Sequence, residues 1–326
     1  MLNFQKKMQR LMLTCLLAGV MGAGWAADYP SAPVTLVVPT GPGGGTDLAA
    51  RAMSERLAKA LGQPVIIDNK AGAGGIIGNQ SAARAKPDGY TLLISSNQFG
   101  IIPAVQSKLP YDPIKDFIPI TSIGVIPTLV LLNPSLPIGS ISELISYAKQ
   151  NPGKLQYASA GIGSPNHLFA AMFSKMANID MLHVPFRGTS PALIAVAGGE
   201  VPLSFASLPA SQGFISGGKL KPIAVTSGQR LKTLPDLPAI SETVPGYAAD
   251  IWLGIWGVAG TPPAVIDKIH AAIEETLKDP AVLKSLGDQG LVVEVRSKEN
   301  FAAVVKEEIA KWNKVVDDSG GEIKRQ

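Results

Sequence analysis

The feature that most constrains the fold is a strand followed by a glycine-rich turn and a helix start. Residues 34–38 are apolar and mostly β-branched, residues 39–47 read Pro-Thr-Gly-Pro-Gly-Gly-Gly-Thr-Asp, and residues 48–61 have helical periodicity. Glycine lets a backbone approach a ligand, and free N–H groups at a helix start favour an anion. We therefore predict an anion-holding loop with Thr46 or Asp47 as the helix cap. A tight turn that needs glycine only for its geometry is the alternative.

The first 27 residues have the pattern of a signal peptide. Three basic side chains precede an apolar run at 11–20, and small residues suited to cleavage end at Ala27. None of the 25 acidic residues and three of the 29 basic ones precede Asp28, so the rest of the chain has a net charge of +1. The high overall pI is therefore no argument for nucleic-acid binding. Because the only cysteine is Cys15, we expect an exported protein without disulfides, stabilised by its core.

Strands and helices alternate along the chain. After the first unit, the pattern predicts strands at 64–67 and 90–94, separated by a second glycine-rich loop at 69–78 and a helix at 77–85. This order, with its short loops, indicates a parallel α/β sheet with right-handed crossovers. A length of about 300 residues after the signal peptide suits two domains.

The loop-to-helix design occurs twice more in the second half of the chain. Residues 160–164 precede a helix with Ser164 as the predicted cap, and residues 187–191 precede one with Ser190 as the predicted cap. All three units follow strands, so they lie at the edge where open α/β sheets bind ligands. If two domains face each other there, several helix starts converge on one cleft, which favours the ligand over the purely structural turn.

The sequence lacks the motifs of common catalytic sites. Gly153-Lys154 and Gly218-Lys219 are both followed by leucine, so neither is a Walker A motif. Ser164 lacks the flanking glycines of a nucleophile elbow. The three histidines are far apart and have no metal-ligand spacing. We expect a protein that is not an enzyme, with no catalytic residue, no metal and no cofactor.

Several individual side chains have two interpretations each. His167 lies in the first turn of a helix and either donates to a ligand or is a capping or surface residue. Arg187 either clamps a carboxylate or is a surface arginine. His183 alternates within a strand and is expected to be structural. Trp252 and Trp256 share one side of an extended run, where core packing is favoured over lining of a cleft.

Several short stretches together resemble the substrate-binding proteins of tripartite tricarboxylate transporters, which are called Bug receptors. They follow one another in order and cover nearly all of the chain after the signal peptide. The stretches are Tyr29-Pro30-Ser31, 38–47, Gly62-Gln63-Pro64, 69–78, Pro87-Asp88-Gly89-Tyr90-Thr91-Leu92, His183-Val184-Pro185-Phe186-Arg187-Gly188, Leu234-Pro235-Asp236-Leu237-Pro238 and Gly260-Thr261-Pro262.

The resemblance implies an α/β, two-lobed periplasmic-binding-protein (Venus flytrap) fold, in which each lobe is a mostly parallel sheet flanked by helices. Lobe 1 is expected at 28–126 and 253–326 and lobe 2 at 127–252, with interlobe crossings near 125–128 and 250–254. The resemblance implies a periplasmic protein that captures a small organic carboxylate and delivers it to membrane permease subunits. We expect a monomer that binds no nucleic acid. An exported enzyme acting on a small carboxylate and a ligand sensor for a membrane protein are the alternatives.

The resemblance also implies that the first loop and loops of lobe 2 recognise the carboxylate together, partly through water. Asp47 is expected to hold the first loop more than to touch the anion. The ligand-binding candidates carried over by position are Thr40, Gly44, Gly45, Asp47, Ser95 and Asn97 in lobe 1, and Thr128, Gly163, Ser164, His167, Arg187 and Ser207 in lobe 2.

The chain departs from the family pattern at two places. Family members often carry an acidic residue where this chain has Ala206, and tyrosine-lysine where it has Phe186-Arg187. The missing acid removes a partner for an ammonium group of a ligand. We therefore hypothesise a ligand without a charged amine, such as a di- or tricarboxylate or an aromatic carboxylate.

Overall fold

A computed structural model of the chain describes residues 29–319, 321, 323 and 325. The predicted signal peptide, residues 1–27, lies outside the described residues. None of the helices in the described part of the chain has the length and apolarity needed to cross a membrane.

Strands and helices alternate through most of the described chain. The strands are β1 Val34–Val38, β2 Val65–Asn69, β3 Thr91–Ser96, β4 Phe117–Ile126, β5 Thr128–Leu132, β6 Leu155–Ser159, β7 Met181–Pro185, β8 Leu203–Ser207, β9 Lys221–Val225, β10 Ile251–Val258 and β11 Val292–Val293. The helices are α1 Gly45–Leu61, α2 Ile76–Ala83, α3 Gln98–Val105, α4 Ile141–Gln150, α5 Pro165–Met176, α6 Thr189–Ala197, α7 Leu208–Ser216, α8 Pro263–Thr276, α9 Pro280–Asp288 and α10 Lys298–Asp318.

The strands form two sheets, which confirms the predicted two-lobed α/β fold. One sheet has the order β11-β4-β10-β3-β1-β2, and the other has the order β7-β6-β8-β5-β9. In the first sheet β1 is parallel to both of its neighbours, β2 and β3, and in the second sheet β6 is parallel to both of its neighbours, β7 and β8. Two inner strands run against the parallel strands beside them: β10, which is antiparallel to both β3 and β4, and β5, which is antiparallel to both β8 and β9. The chain reaches each of these strands from the other sheet, since β5 follows β4 and β10 follows β9.

The chain crosses between the sheets at two places, which lie side by side. Only Pro127 separates β4 from β5, and its carbonyl accepts the N–H of Leu208 at 2.8 Å. The second crossing ends where β10 begins, after Asp250. There the side-chain amide of Asn97 donates to the Asp250 carbonyl at 3.2 Å. Both crossings are therefore held by hydrogen bonds to their neighbours.

Each sheet has apolar side chains on both faces, as expected for strands covered by helices. The core of the first sheet includes Leu36 and Ile255, and the core of the second includes Tyr157 and Phe205. Both tryptophans of β10 are buried against the ring of Phe301, which confirms the prediction that they pack in the core.

The C-terminal helix α10 packs against both cores. Its first half places Phe301 and Val305 in an aromatic cluster of the first sheet. Its second half stacks Trp312 on Phe169 of α5, with ring centroids 5.5 Å apart and ring planes 14° apart. The predicted domain limits put this whole helix in lobe 1, whereas its packing divides it between the two cores.

The first helix starts earlier than predicted. Its N-cap is Gly44, so Thr46 and Asp47 are the second and third residues of the helix, and the prediction that either caps it is wrong. Glycine supplies the required extended backbone without a side chain. The carboxylate of Asp47 reaches back instead and accepts the N–H of Gly43 at 2.8 Å.

The other two predicted caps have different outcomes. The N-cap of α6 is Gly188 and not Ser190, because Gly188 adopts a φ of +120° that favours glycine and starts the helix two residues earlier. The predicted cap of α5 is confirmed: the Ser164 hydroxyl accepts the backbone N–H of His167 at 3.3 Å.

The strand β10 has no room for a side chain at Gly254. A Cβ atom there would lie 2.1 Å from Cζ of Phe301. We expect Gly254→Ala to lower the free energy of unfolding by about 1–3 kcal/mol, because the Phe301 ring would have to move in a packed core. Urea unfolding measures the change. Gly213→Ala in α7, where nothing lies within 4 Å of the new Cβ, is the control and should not destabilise. Equal stability of the Gly254→Ala and wild-type proteins would contradict the packing argument.

Candidate functional site

Two adjoining cavities, each of about 440 Å³, lie between loops of the two sheets. Their volumes are in the range of small-molecule sites. Gly74, Gln98, Ile162 and Gly163 line both. The first, called the loop cavity, is also lined by Pro39, Thr40, Gly72, Ser96 and Ser164. The second, called the α3 cavity, is also lined by Ala73, Ile76, Ile102, Val105 and Gln106.

Thr40 lines the loop cavity and carries a buried hydroxyl group. Its Oγ1 atom is buried and has no hydrogen-bond partner within the described part of the chain. Its carbonyl accepts the side-chain amide of Asn69 at 3.1 Å, which fixes the backbone. A Cβ atom on Gly44 would lie 3.4 Å from Oγ1 of Thr40, so the glycine leaves space beside the hydroxyl. The loop therefore carries one buried donor that has no partner among the described residues.

The buried carboxylate of Asp47 holds this loop in place. It accepts hydrogen bonds from Arg51 at 3.0 Å, from the N–H of Gly43 at 2.8 Å and from the amide of Asn69 at 2.8 Å. The hydrogen bond from Arg51, followed by those from Gly43 and Asn69, lowers the pKa of Asp47 to about 2. The carboxylate thus stays ionised and directed at its own loop, as the expectation for Asp47 stated.

The second glycine-rich loop forms a left-handed turn beside the cavities. Four successive residues have positive φ angles: Gly72 at +135°, Ala73 at +47°, Gly74 at +65° and Gly75 at +103°. This conformation is uncommon for alanine. A Cβ atom on Gly78 would lie 2.6 Å from Cα of Pro39, so α2 packs directly on the first loop. Sequence reasoning found this loop but named no site residue in it, although its density of glycines was the available signal.

The loop that follows β6 in the second sheet, residues 160–164, is held by hydrogen bonds within the loop and to His167. The Ser164 hydroxyl donates to the carbonyl of Gly161 at 2.7 Å. The N–H of Gly163, whose φ is +76°, donates to Nδ1 of His167 at 3.1 Å. Ile162 projects between these two glycines and is 57% exposed. The predicted residues Gly163 and Ser164 line the loop cavity, while His167 lies beneath them.

His167 belongs to a buried stack of rings. Its ring lies 3.9 Å from that of His183, which stacks in turn on Tyr157 at 5.0 Å. Burial, followed by the neighbouring His183, lowers the pKa of His167 to about 3, and burial lowers the pKa of His183 to about 4. Both rings are therefore neutral at pH 7, which leaves Nδ1 of His167 free to accept the N–H of Gly163. His167 lines neither cavity and positions the loop that does.

The end of β3 presents different residues from those expected. Ser95 and Asn97 are buried and line neither cavity, whereas Ser96 and Gln98 do. Side chains alternate between the two faces of a strand, so a shift of one residue exchanges a buried residue for an exposed one. Asn97 serves the second crossing through its bond to Asp250.

The remaining candidates also lie outside the two cavities. Thr128 and Ser207 pair with each other at the ends of β5 and β8, beside the first crossing. A Cβ atom on Gly45 would lie 3.9 Å from Ile126 at the same crossing. Arg187 is exposed beyond the end of β7. The structure thus brings Thr40, Gly163 and Ser164 together.

The cavities combine polar donors with an uncharged lining. Among the described residues, none that lines either cavity is Asp, Glu, Lys, Arg or His. The helices α2, α3 and α5 each begin at a lining residue, and helix starts carry a partial positive charge. This arrangement can hold an anion through N–H and hydroxyl groups.

Asp47→Asn should weaken the first loop in a pH-dependent manner. Because the pKa of Asp47 is lowered from 3.8 to about 2, its stabilisation is complete above pH 3.8 and is lost as the pH falls through about 2. We expect the variant to lose about 1–2 kcal/mol of unfolding free energy at pH 7, after allowance for the solvent-exposed Arg51. Urea unfolding at pH 7 and at pH 3 should show a smaller difference at pH 3. Asp68→Asn, which breaks the surface ion pair with Lys70, is the control and should change stability by less than about 0.5 kcal/mol.

The histidine stack should make the protein less stable in mild acid. Both pKa values are lowered from 6.5, so the unfolded chain binds two more protons than the native protein as the pH falls from 6.5 towards about 4. Each proton contributes about 1.4 kcal/mol per pH unit to the slope of unfolding free energy against pH. His183→Gln removes one of the two titrating rings, so the slope of unfolding free energy against pH should decrease by the contribution of one proton. Tyr157→Phe, which keeps both histidines, should retain the full slope, and a slope unchanged by His183→Gln would contradict the assignment.

Known proteins similar to this chain share this architecture. A family model described as "Tripartite tricarboxylate transporter family receptor" matches residues 49–320. Protein BugT of Bordetella pertussis is 32% identical, over 94% of this chain and 95% of that protein. The structure of R. palustris Rpa4515 with adipate is 35% identical with a TM-score of 0.76, and the match covers 90% of this chain and 99% of that one.

MatC from Rhodopseudomonas palustris with bound malate is 34% identical with a TM-score of 0.73, over 88% of this chain and all of that one. The family model spans most of the chain, and the relatives match over nearly their whole length. The chain therefore belongs to the tripartite tricarboxylate transporter receptor family, whose members are periplasmic solute-binding proteins and not enzymes.

Proposed function

We propose that this protein captures a small organic carboxylate in the cleft between its lobes and delivers it to the membrane permease subunits of a tripartite tricarboxylate transporter. The observation that carries this proposal is the loop cavity, which is lined both by Thr40 from the loop after β1 and by Gly163 and Ser164 from the loop after β6. The adipate and malate bound to the two R. palustris relatives support the ligand class.

The carboxylate would lie against the helix starts and the Thr40 hydroxyl. A buried hydroxyl without a partner costs about 1–3 kcal/mol, so a ligand oxygen or a water that accepts its hydrogen removes this penalty. Gly163 and Ser164 contact the ligand from the second lobe, partly through water. Gly44, Asp47 and His167 act indirectly, because they shape the two loops.

The other candidates would act through closure of the lobes. We place lobe 1 at 28–126 and 253–326 and lobe 2 at 127–252, with a hinge at the two adjacent crossings. Gly45, Ser95, Asn97, Thr128 and Ser207 lie at or next to these crossings, so they set the closed geometry. Arg187 lies outside the cavities and adds a positive charge that attracts an anion.

The proposed setting is the periplasm. Residues 1–27 would direct export, and the protein would act there as a monomer. Binding without chemistry suits a cavity lining of backbone groups, hydroxyls and amides.

Calorimetric titration of the ligand-free protein tests the proposed function. The panel contains mono-, di- and tricarboxylates, with lysine and arginine as cationic amino acids. We expect at least one carboxylate to bind, because the described lining residues offer donors but no acidic side chain for an ammonium group. Tight binding of a cationic amino acid with no response to any carboxylate would disprove the proposal.

Thr40→Val tests the hydroxyl in the cavity. Removal of a hydrogen bond to a charged group should weaken carboxylate binding about tenfold or more. The unfolding free energy without ligand should change little, because the lost hydroxyl has no partner in the described structure. The control is Thr276→Val in α8, whose hydroxyl bonds to the Ala272 carbonyl and lines neither cavity. If Thr40→Val binds carboxylates as wild type does, the role of Thr40 is refuted.

A further inference from the structure

The α3 cavity extends the loop cavity away from the carboxylate position. The two cavities share four lining residues, so a single ligand can occupy both. The α3 cavity has a volume of about 440 Å³, whereas an apolar cavity of about 150 Å³ accommodates benzene. The body of the ligand can therefore be as large as a substituted aromatic ring or a short alkyl chain.

The α3 cavity is lined by apolar side chains together with polar groups. Ile76, Ile102, Val105 and Ile162 line it, and its polar side chains are the amides of Gln98 and Gln106. Ile162 is notable because it is a largely exposed isoleucine at the tip of the second-lobe loop. An apolar ligand body would cover its side chain and remove both apolar surfaces from water.

No cation among the described residues lines the α3 cavity. Two basic side chains near the lining loops are already paired: Arg51 with Asp47 at 3.0 Å, and Lys70 with Asp68 at 3.3 Å. Lys108 and Arg187 are exposed and line neither cavity. A second carboxylate in the α3 cavity would lose water without gaining an opposite charge, and such burial is costly.

We propose that the ligand is a monocarboxylate with an uncharged, largely apolar body, and that the protein discriminates against dicarboxylates. The carboxylate occupies the loop cavity and the body occupies the α3 cavity. Ile102, Val105 and Ile162 select the apolar body, and the amide of Gln98 can meet a neutral polar substituent. This inference rests on the proposed function, since it assumes that a carboxylate binds in the loop cavity.

Matched ligand pairs test the discrimination. Benzoate against terephthalate, and hexanoate against adipate, differ only in a second carboxylate at the far end. Calorimetry at pH 7.5, where all of these groups are ionised, should show at least tenfold tighter binding of the monocarboxylate in at least one pair. Equal or tighter binding of the dicarboxylate in both pairs overturns the inference but leaves the proposed function intact. Binding of cationic amino acids without any carboxylate overturns both.

Gln106→Lys tests whether the missing cation causes the preference. Gln106 is half-buried, directly follows α3 and lines only the α3 cavity, so a lysine ammonium can reach both the cavity and water. We expect the affinity for terephthalate or adipate to rise at least tenfold. Gln150→Lys at the exposed end of α4 adds the same charge elsewhere and should leave the affinities unchanged. An unchanged preference in Gln106→Lys overturns the inference.

Ile162→Ser tests the apolar contact without adding charge. The position is exposed, so the melting temperature of the ligand-free protein should stay the same. We expect monocarboxylate binding to weaken at least fivefold. Monocarboxylate affinity equal to that of the wild type would mean that Ile162 does not contact the apolar body, which contradicts the assignment of the α3 cavity.

Discussion

The buried carboxylate of Asp47 is the interaction on which the ligand side of lobe 1 depends. It joins the first loop to α1 through Gly43 and to β2 through Asn69. Asn69 also holds the carbonyl of Thr40, so one anion fixes the backbone that carries the Thr40 hydroxyl. The second glycine-rich loop packs on the first through Gly78, so its position follows from the same network.

Lobe 2 also holds its ligand-side loop in a fixed position, but it does so with different side chains. The loop after β6 occupies the place in its sheet that the loop after β1 occupies in the other, since both follow a strand flanked by two parallel neighbours. Lobe 1 fixes its loop with an ionised side chain. Lobe 2 fixes its loop with His167, a neutral ring that accepts the N–H of Gly163 and is held by stacking on His183. The two halves of the cleft therefore respond to different ranges of pH.

The fold and the positions of the loops could be predicted because they depend on local patterns. Alternating strands and helices, glycine clusters and the Ser164 cap are all visible in adjacent residues. The lining of the cavities could not be predicted as well, because it depends on strand phase and on packing between distant segments. Ser96 lines the loop cavity where Ser95 was expected, because strand phase decides which side chain faces the cavity. The histidine stack depends on packing between distant segments, since it joins α5 to β7. The left-handed turn at Ala73 was hidden because alanine rarely adopts that conformation.

The position of β10 in the chain has a consequence for biosynthesis, because this inner strand of the first sheet follows all strands of the second sheet. The second sheet is encoded by one continuous segment, from β5 to β9, and every strand it contains is available once residue 225 has been made. The first sheet has to wait for β10, which lies between β3 and β4 but is translated after the whole of the second sheet. The amino-terminal lobe is therefore the one completed last, the reverse of the usual amino-to-carboxyl order.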